Sequence, residues 1–342
     1  MFHVASPTST TGRLAKGLVF LYKVTVVRKV LVLLAVTLLL AGCSINRIAV
    51  RAVSDALSTQ AGEPDAFSTD NDPALVGDAL PFVLKLYDTL LLEDPENEGL
   101  LLSSANAYVS YANAFLQSRA AMLPQAEFER REELIARAKN LYLRGRDRAL
   151  RALELRYPGF TEDVKSDDPE LLSQTTVEDV PYLYWAAAGW MGAVSTDPFD
   201  IGLSMEAGRA GAVMDRAFEL DPDFDNGAIH EFYIAYYAGL PEGLGGSTDK
   251  AEHHFEQAVR LADGKKASPY VALATSVALP AQDAERFVEL MEKALEVDAE
   301  AHPRYRLVNT IKQDEARFYL DNLERFFVTG LEELDQSEEG NQ

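Results

Sequence analysis

The stretch Arg209–Phe224, "RAGAVMDRAFELDPDF", decides the architecture. Its Ala210, Met214 and Ala217 follow one another at four and three residues, so all three lie on one face of an α-helix. Alanine on that face lets a second helix approach closely, and the Met side chain fills the groove between the two. Asp221-Pro222 then ends the helix, because proline offers no amide donor to continue it. Such a helix cannot bury its face alone and needs partners before and after it in the chain.

The same frame returns elsewhere. Ala251, Phe255 and Ala258 repeat it in "KAEHHFEQAVRLADG", and Phe287, Met291 and Ala294 in "RFVELMEKALEVD". Upstream, Leu150, Leu153 and Pro158 fit it in "ALRALELRYPGF", as do Val83, Tyr87, Leu90 and Pro95 in "VLKLYDTLLLEDPEN". This is a degenerate form of the second helix of a tetratricopeptide repeat, A-x3-F-x2-A-x4-P. First-helix matches are poorer: Trp185 and Gly189 in "YWAAAGWMG" and Tyr108 in "LLLSSANAYVSY". Leu90, Leu153, Ala217, Ala258 and Ala294 are separated by 63, 64, 41 and 36 residues. The standard repeat is about 34 residues, so long or additional helices must fill the first two gaps.

From Pro73 onward the apolar residues keep the i, i+3, i+4, i+7 spacing of helices, and no stretch alternates in the manner of a strand. The predicted fold is all-α: a tetratricopeptide-like array of four to five repeats over residues 73–330. A helix in "YRLVNTIKQDEARFYLDNLERFFV" after Pro303 caps it, and residues 331–342 read as an acidic flexible tail. In "GLGGSTDK" the glycines lack phosphate-loop spacing, so Ser247 or Thr248 reads as a helix N-cap.

The chain has one cysteine, Cys43, in "LLLAGC". Before it lie Arg13, Lys16, Lys23, Arg28 and Lys29 with no acidic residue, then the apolar run Val30–Leu40. A basic segment, a short apolar core and small residues before a cut point predict a secretory signal over 1–42. Leu40-Ala41-Gly42-Cys43 resembles the bacterial lipobox, in which the thiol receives a lipid and the chain is cut before it. Cys43 is the expected lipidation site, residues 43–72 a tether, and Ser44 leans toward the outer membrane. A lone thiol excludes disulfide and CxxC chemistry. Cut before Cys43, the chain carries 27 basic and 54 acidic residues. That excess argues against nucleic acid as a partner.

Several segments together resemble one family. They are "LPFVLKLYDTLLLEDPENEGLLLSSANAYVSYANAF", "AKNLYLRGRDRALRALELRYPGF", "YLYWAAAGWMGA", "GLPEGLGGSTDKAEHHFEQAV" and "RLVNTIKQDEARFYL". From about Ser44 to Val328 the chain is similar to the T component associated with tripartite ATP-independent periplasmic (TRAP) transporters. The resemblance implies a lipid-anchored periplasmic protein without catalytic activity or cofactor. It also implies a homotrimer, a partner in the transporter's periplasmic solute-binding subunit, and a pore for a hydrophobic or carboxylate-bearing ligand. The alternative is an envelope assembly scaffold with the same anchor and repeats.

Two groups of residues are candidates for ligand or partner binding. Arg144, Arg148 and Arg151 share a helix face, where guanidinium forks bind a carboxylate or simply form a solvated charged surface. Tyr182, Tyr184, Trp185 and Trp190, and then Tyr233, Tyr236 and Tyr237, cluster on first helices of the array. Such aromatics line a ligand passage or fill the core. His253 and His254 are adjacent and so point about 100° apart on a helix, a poor metal pair. No Ser/His/Asp or paired-carboxylate motif is present, and neither catalytic nor metal residues are assigned.

Overall fold

A computed structural model describes residues 23, 27–29, 65–166 and 169–328. The chain divides into two units, Met1–Val53 and Ser54–Gln342. In the first, the described residues are helical and none of the described helices is long and apolar enough to cross a membrane. Cys43 and the lipobox lie outside the described residues, as do 331–342.

The second unit is all-α among its described residues. Its main helices are α1 (Pro73–Glu93), α2 (Glu98–Tyr111), α3 (Phe128–Arg156), α4 (Val180–Thr196) and α5 (Ala207–Leu220). There follow α6 (Phe224–Gly239), α7 (Thr248–Ala262), α8 (Ser268–Leu273), α9 (Ala284–Glu296) and α10 (Arg306–Leu320). The local chemistry sets their starts. Asp72, Asn97, Ser247 and Asp283 each accept the amide of the third residue on, satisfying a donor that has no partner within the helix.

Each helix packs on the next in the chain, as a repeat array requires. The expected second helices are α1, α3, α5, α7 and α9, and their signature residues form the contacts. Ala210, Met214, Ala217, Ala251, Ala258, Phe287, Met291 and Ala294 are all fully buried. The two wide spacings have a physical source. A π-helical stretch, Ala112–Gln117, and the short helix Ser118–Met122 prolong α2. The long α3 is then followed by the single turns Phe160–Asp163 and Glu170–Ser173.

α10 is the last main helix of the described residues and returns to the first of them. It contacts α1 and the short helix Ser118–Met122. The Leu307 amide donates to the Ser68 carbonyl at 3.1 Å, and Arg306 Nη1 to that of Thr69 at 2.9 Å. Ser118 bonds to Glu315, which also pairs with Lys312 at 2.9 Å. First and last helices therefore meet, and the array closes on itself.

α3 and α4 make the most extensive helix contact, and glycine sets its distance. A Cβ on Gly189 would lie 2.8 Å from the Tyr142 carbonyl and 2.9 Å from the Arg146 amide. Both are backbone atoms of α3 and cannot step aside without moving the helix. Gly189→Ala is therefore expected to lower unfolding free energy by about 1–3 kcal/mol through forced separation. Gly208→Ala on α5, where a Cβ meets nothing within 4 Å, is expected to raise it by about 0.5–1 kcal/mol. Urea denaturation of the two variants checks the contrast; equal effects would contradict it.

Candidate functional site

The aromatics on α4 separate into two groups. Tyr182 and Trp190 are buried and committed to other side chains. The Arg156 guanidinium lies 4.4 Å from the Tyr182 ring, and Trp190 Nε1 donates to Glu206 at 2.9 Å while Arg146 covers its ring. Arg156 also pairs with Glu98 at 2.6 Å and with buried Asp179 at 2.6 Å, and Tyr157 donates to Asp179 at 2.6 Å.

Tyr184 and Trp185 are only half-buried, and Ala188 and Met191 continue the same partly open stripe. α4 is packed against α2, α3, α5 and α6. Apolar residues thus remain partly exposed on a helix that has four neighbours.

Tyr233, Tyr236 and Tyr237 sit between α5 and α7. Tyr233 is 2% exposed and donates to Asp215. The Tyr236 hydroxyl occupies the space a Cβ would take at Gly211. Tyr237 stacks on His254 at 5.5 Å, and Lys250 lies 4.8 Å from its ring. His254 Nδ1 is 2.8 Å from His230 Nδ1, and burial followed by the neighbouring His230 pushes its pKa down to about 4. Among the described residues no group of three or more His, Cys, Asp or Glu is arranged to hold a metal ion.

Arg144, Arg148 and Arg151 come together on the outside of α3. With Lys85, Asp88 and Asp147 they line an open cleft of about 450 Å³. Asp88 is its centre, accepting from Lys85 at 2.7 Å, Tyr108 at 2.8 Å and Arg148 at 2.9 Å.

Beside Tyr184 the structure adds residues that sequence reasoning missed. Tyr184 meets Trp185 edge-on at 5.0 Å and Phe224 at 5.2 Å. Next come Asp225, Asn226 and Gly227, with φ of 45°, 51° and 91°. Two non-glycine residues in the left-handed region cost about 1–3 kcal/mol each and need external support. Lys266, 6% exposed, supplies it by donating to the Asp225 carbonyl at 2.8 Å and to Glu231 at 3.0 Å. Arg304 pairs with the Asp225 carboxylate, Asn226 donates to the Tyr305 hydroxyl at 2.6 Å, and Ser268 donates to Glu231 at 2.6 Å.

Asp225 is enclosed by protein, yet 36% of its side chain touches solvent. Burial pushes its pKa up, opposed by the charges of Lys266 and Arg304. Burial disfavours the charge on Lys266, but Glu231 and Asp225 outweigh it and keep the ammonium protonated. Burial, then the charges of Glu231 and Asp225, push the Tyr184 phenol up, leaving it a donor. An aromatic wall next to compensated charges suits an amphiphile with a polar head. The odd turn "DFDNG" and the Lys265-Lys266 doublet were the available sequence signals.

The Asp179 cluster is a structural counterpart that titrates. Burial opposes ionisation, but bonds from Tyr157, the Thr176 amide and Arg156 hold the Asp179 pKa below its ordinary 3.8. A depressed carboxylate stabilises the fold fully above its unfolded pKa and ceases to do so as pH falls through the folded one. Asp179→Asn is therefore expected to cost about 2 kcal/mol at pH 7 and much less near pH 3. Urea midpoints at the two pH values test this, and a pH-independent cost would refute it.

The sequence matches the TRAP transporter T-component family over residues 69–327. It is also 35% identical over 306 residues to an uncharacterized protein of Treponema pallidum (strain Nichols), covering 85% of this chain and 95% of that protein. The family match runs from before α1 to beyond α10 and includes both the Tyr184–Lys266 cluster and the arginine cleft. The chain belongs to the T-component family of TRAP transporters and is associated through it with that class of transporter.

Proposed function

We propose that the protein is a periplasmic, lipid-anchored adaptor of a TRAP transporter. Its closed helical array docks the solute-binding subunit, and the space beside Tyr184 and Trp185 holds or passes the ligand. The observation that carries the ligand reading is the half-open aromatic stripe on α4, which meets a strained, charge-supported turn at Asp225–Gly227. Backbone strain kept in place by surrounding groups concentrates at binding sites. The chemistry fits a ligand with an apolar body and a carboxylate head. Tyr184, Trp185 and Phe224 would cover the body, and Arg304 is the cation beside them that would take the carboxylate. Anchoring through Cys43 keeps the adaptor at the membrane, with Ser44 favouring the outer one, and assembly as a trimer belongs to the same reading.

Titration calorimetry with a TRAP-type solute-binding subunit from the same organism is the direct test. A saturable complex with Kd on the order of micromolar or tighter supports the adaptor. In the same assay Trp185→Ala and Arg304→Ala should lose ligand while still binding the subunit. Absence of any complex at roughly 100 μM of each protein would turn the reading to an envelope assembly scaffold. Separately, metabolic labelling with palmitate should mark the wild-type chain and not Cys43→Ser; equal labelling would remove the lipid anchor from the proposal.

A further inference from the structure

The cleft on α1 and α3 is a cationic island on an acidic protein. The chain as a whole has a formal charge of −22. In the cleft, Lys85, Arg144, Arg148 and Arg151 face Asp88, whose carboxylate is already shared among Lys85, Arg148 and Tyr108. Asp147 is turned to its neighbour Arg146 at 2.8 Å. Glu154, one turn beyond, uses both oxygens on the Gly159 and Thr161 amides. Among the described residues no ion pair engages Arg144 or Arg151.

The cleft also has an apolar border. On α1, Phe82 lies three residues before Lys85, on the same face, and is 72% exposed; Leu75 and Leu92 on that side are exposed as well. An occupant that matches both features carries acids on one side and aliphatic side chains on the other.

The chain contains such a segment. Leu331–Glu339, "LEELDQSEE", carries Glu332, Glu333, Asp335, Glu338 and Glu339 with no basic residue, and Leu331 and Leu334 are three apart. The route is short enough. The Leu123 carbonyl accepts from both Arg325 and Arg131, each at 2.9 Å, which sets the chain just before Val328 beside the first turns of α3. From Arg131 to Arg144 the helix rises roughly 20 Å, and the stretch from Val328 to Glu339 spans up to roughly 37 Å when extended.

We propose that the Arg144–Arg148–Arg151 cleft is the receptor for the chain's own acidic segment Leu331–Glu339. The segment lies across α1 and α3, with its carboxylates on the arginines and its leucines against Phe82. It thereby occupies a surface that an acidic partner would otherwise reach, and such a partner must displace it to bind. This inference does not depend on the ligand space beside Tyr184.

Zero-length carbodiimide coupling of the intact chain tests it, because Lys85 is the one amine lining the cleft. Lys85 should be joined to a carboxylate of the tryptic peptide beginning at Phe326, within monomers. The yield should fall roughly fivefold at high salt, because the ions are exposed. The same loss is expected in the Arg144→Glu, Arg151→Glu double variant, which leaves Lys85 in place. Both arginines are exposed, and unchanged circular dichroism serves as the folding control. The Lys85–Asp88 link, 2.7 Å apart, is the internal positive control. Formation of that link without any Lys85–tail product overturns the proposal. So does a tail product confined to dimers, which would make a second copy the occupant. Coupling of Lys85 to added solute-binding subunit with no tail product in its absence overturns it equally.

Discussion

Lys266 is the point on which the second half of the array depends. Burying an ammonium costs several kcal/mol unless partners replace its water. Here they come from three places: the Asp225 carbonyl at the start of α6, the Glu231 carboxylate one and a half turns later, and the Tyr305 ring just before α10 at 5.2 Å. None of these groups can move far without leaving the charge uncompensated. One cation thus fixes the angle at which α6 leaves α5, the start of α8 and the approach of α10. The left-handed turn at Asp225–Gly227 survives for the same reason. Its carbonyl is held by Lys266, and its carboxylate and the Asn226 amide by the adjacent Arg304 and Tyr305 just before α10.

The same tie explains closure. Stacked helix pairs left to themselves form an open solenoid, because each contacts only its neighbours. Here α10 starts from the Arg304–Tyr305 contacts with the turn and continues to Ser68, Thr69 and Ser118 at the other end of the array. Within it α4, an almost entirely apolar helix, keeps Tyr184, Trp185, Ala188 and Met191 in partial contact with solvent.

What could be read from the sequence was whatever is encoded within a helical turn or two. Ala210, Met214 and Ala217 announce a helix-pair face, and Ser247 announces a cap whose hydroxyl does accept the Lys250 amide at 3.2 Å. The all-α class and the family follow from such local signals. The candidate site does not, because its partners are distant in sequence: Lys266 lies 35 residues from Glu231, and Arg304 lies 79 from Asp225. No periodicity links them. The aromatic clusters were visible as residue types, but their roles depend on neighbours. Tyr236 fills the notch at Gly211, and Tyr182 is covered by Arg156. Both facts are set by helices elsewhere in the chain.

The division within α4 shows how one short segment serves both fold and site. Tyr182 and Trp190 face α3 and α5, where Arg156, Arg146 and Glu206 satisfy their polar atoms and rings. Tyr184, Trp185, Ala188 and Met191 fall on the remaining arc of the helix, away from the centre of that contact. They can therefore remain partly open without loosening the packing. Gly189, on the buried side, holds α3 at a distance a side chain would forbid. Tight apposition on that face gives the rigidity that a lining surface needs on the other. Under the proposed function, a ligand wall on a helix seated in this way would be preorganised and would require little ordering when occupied.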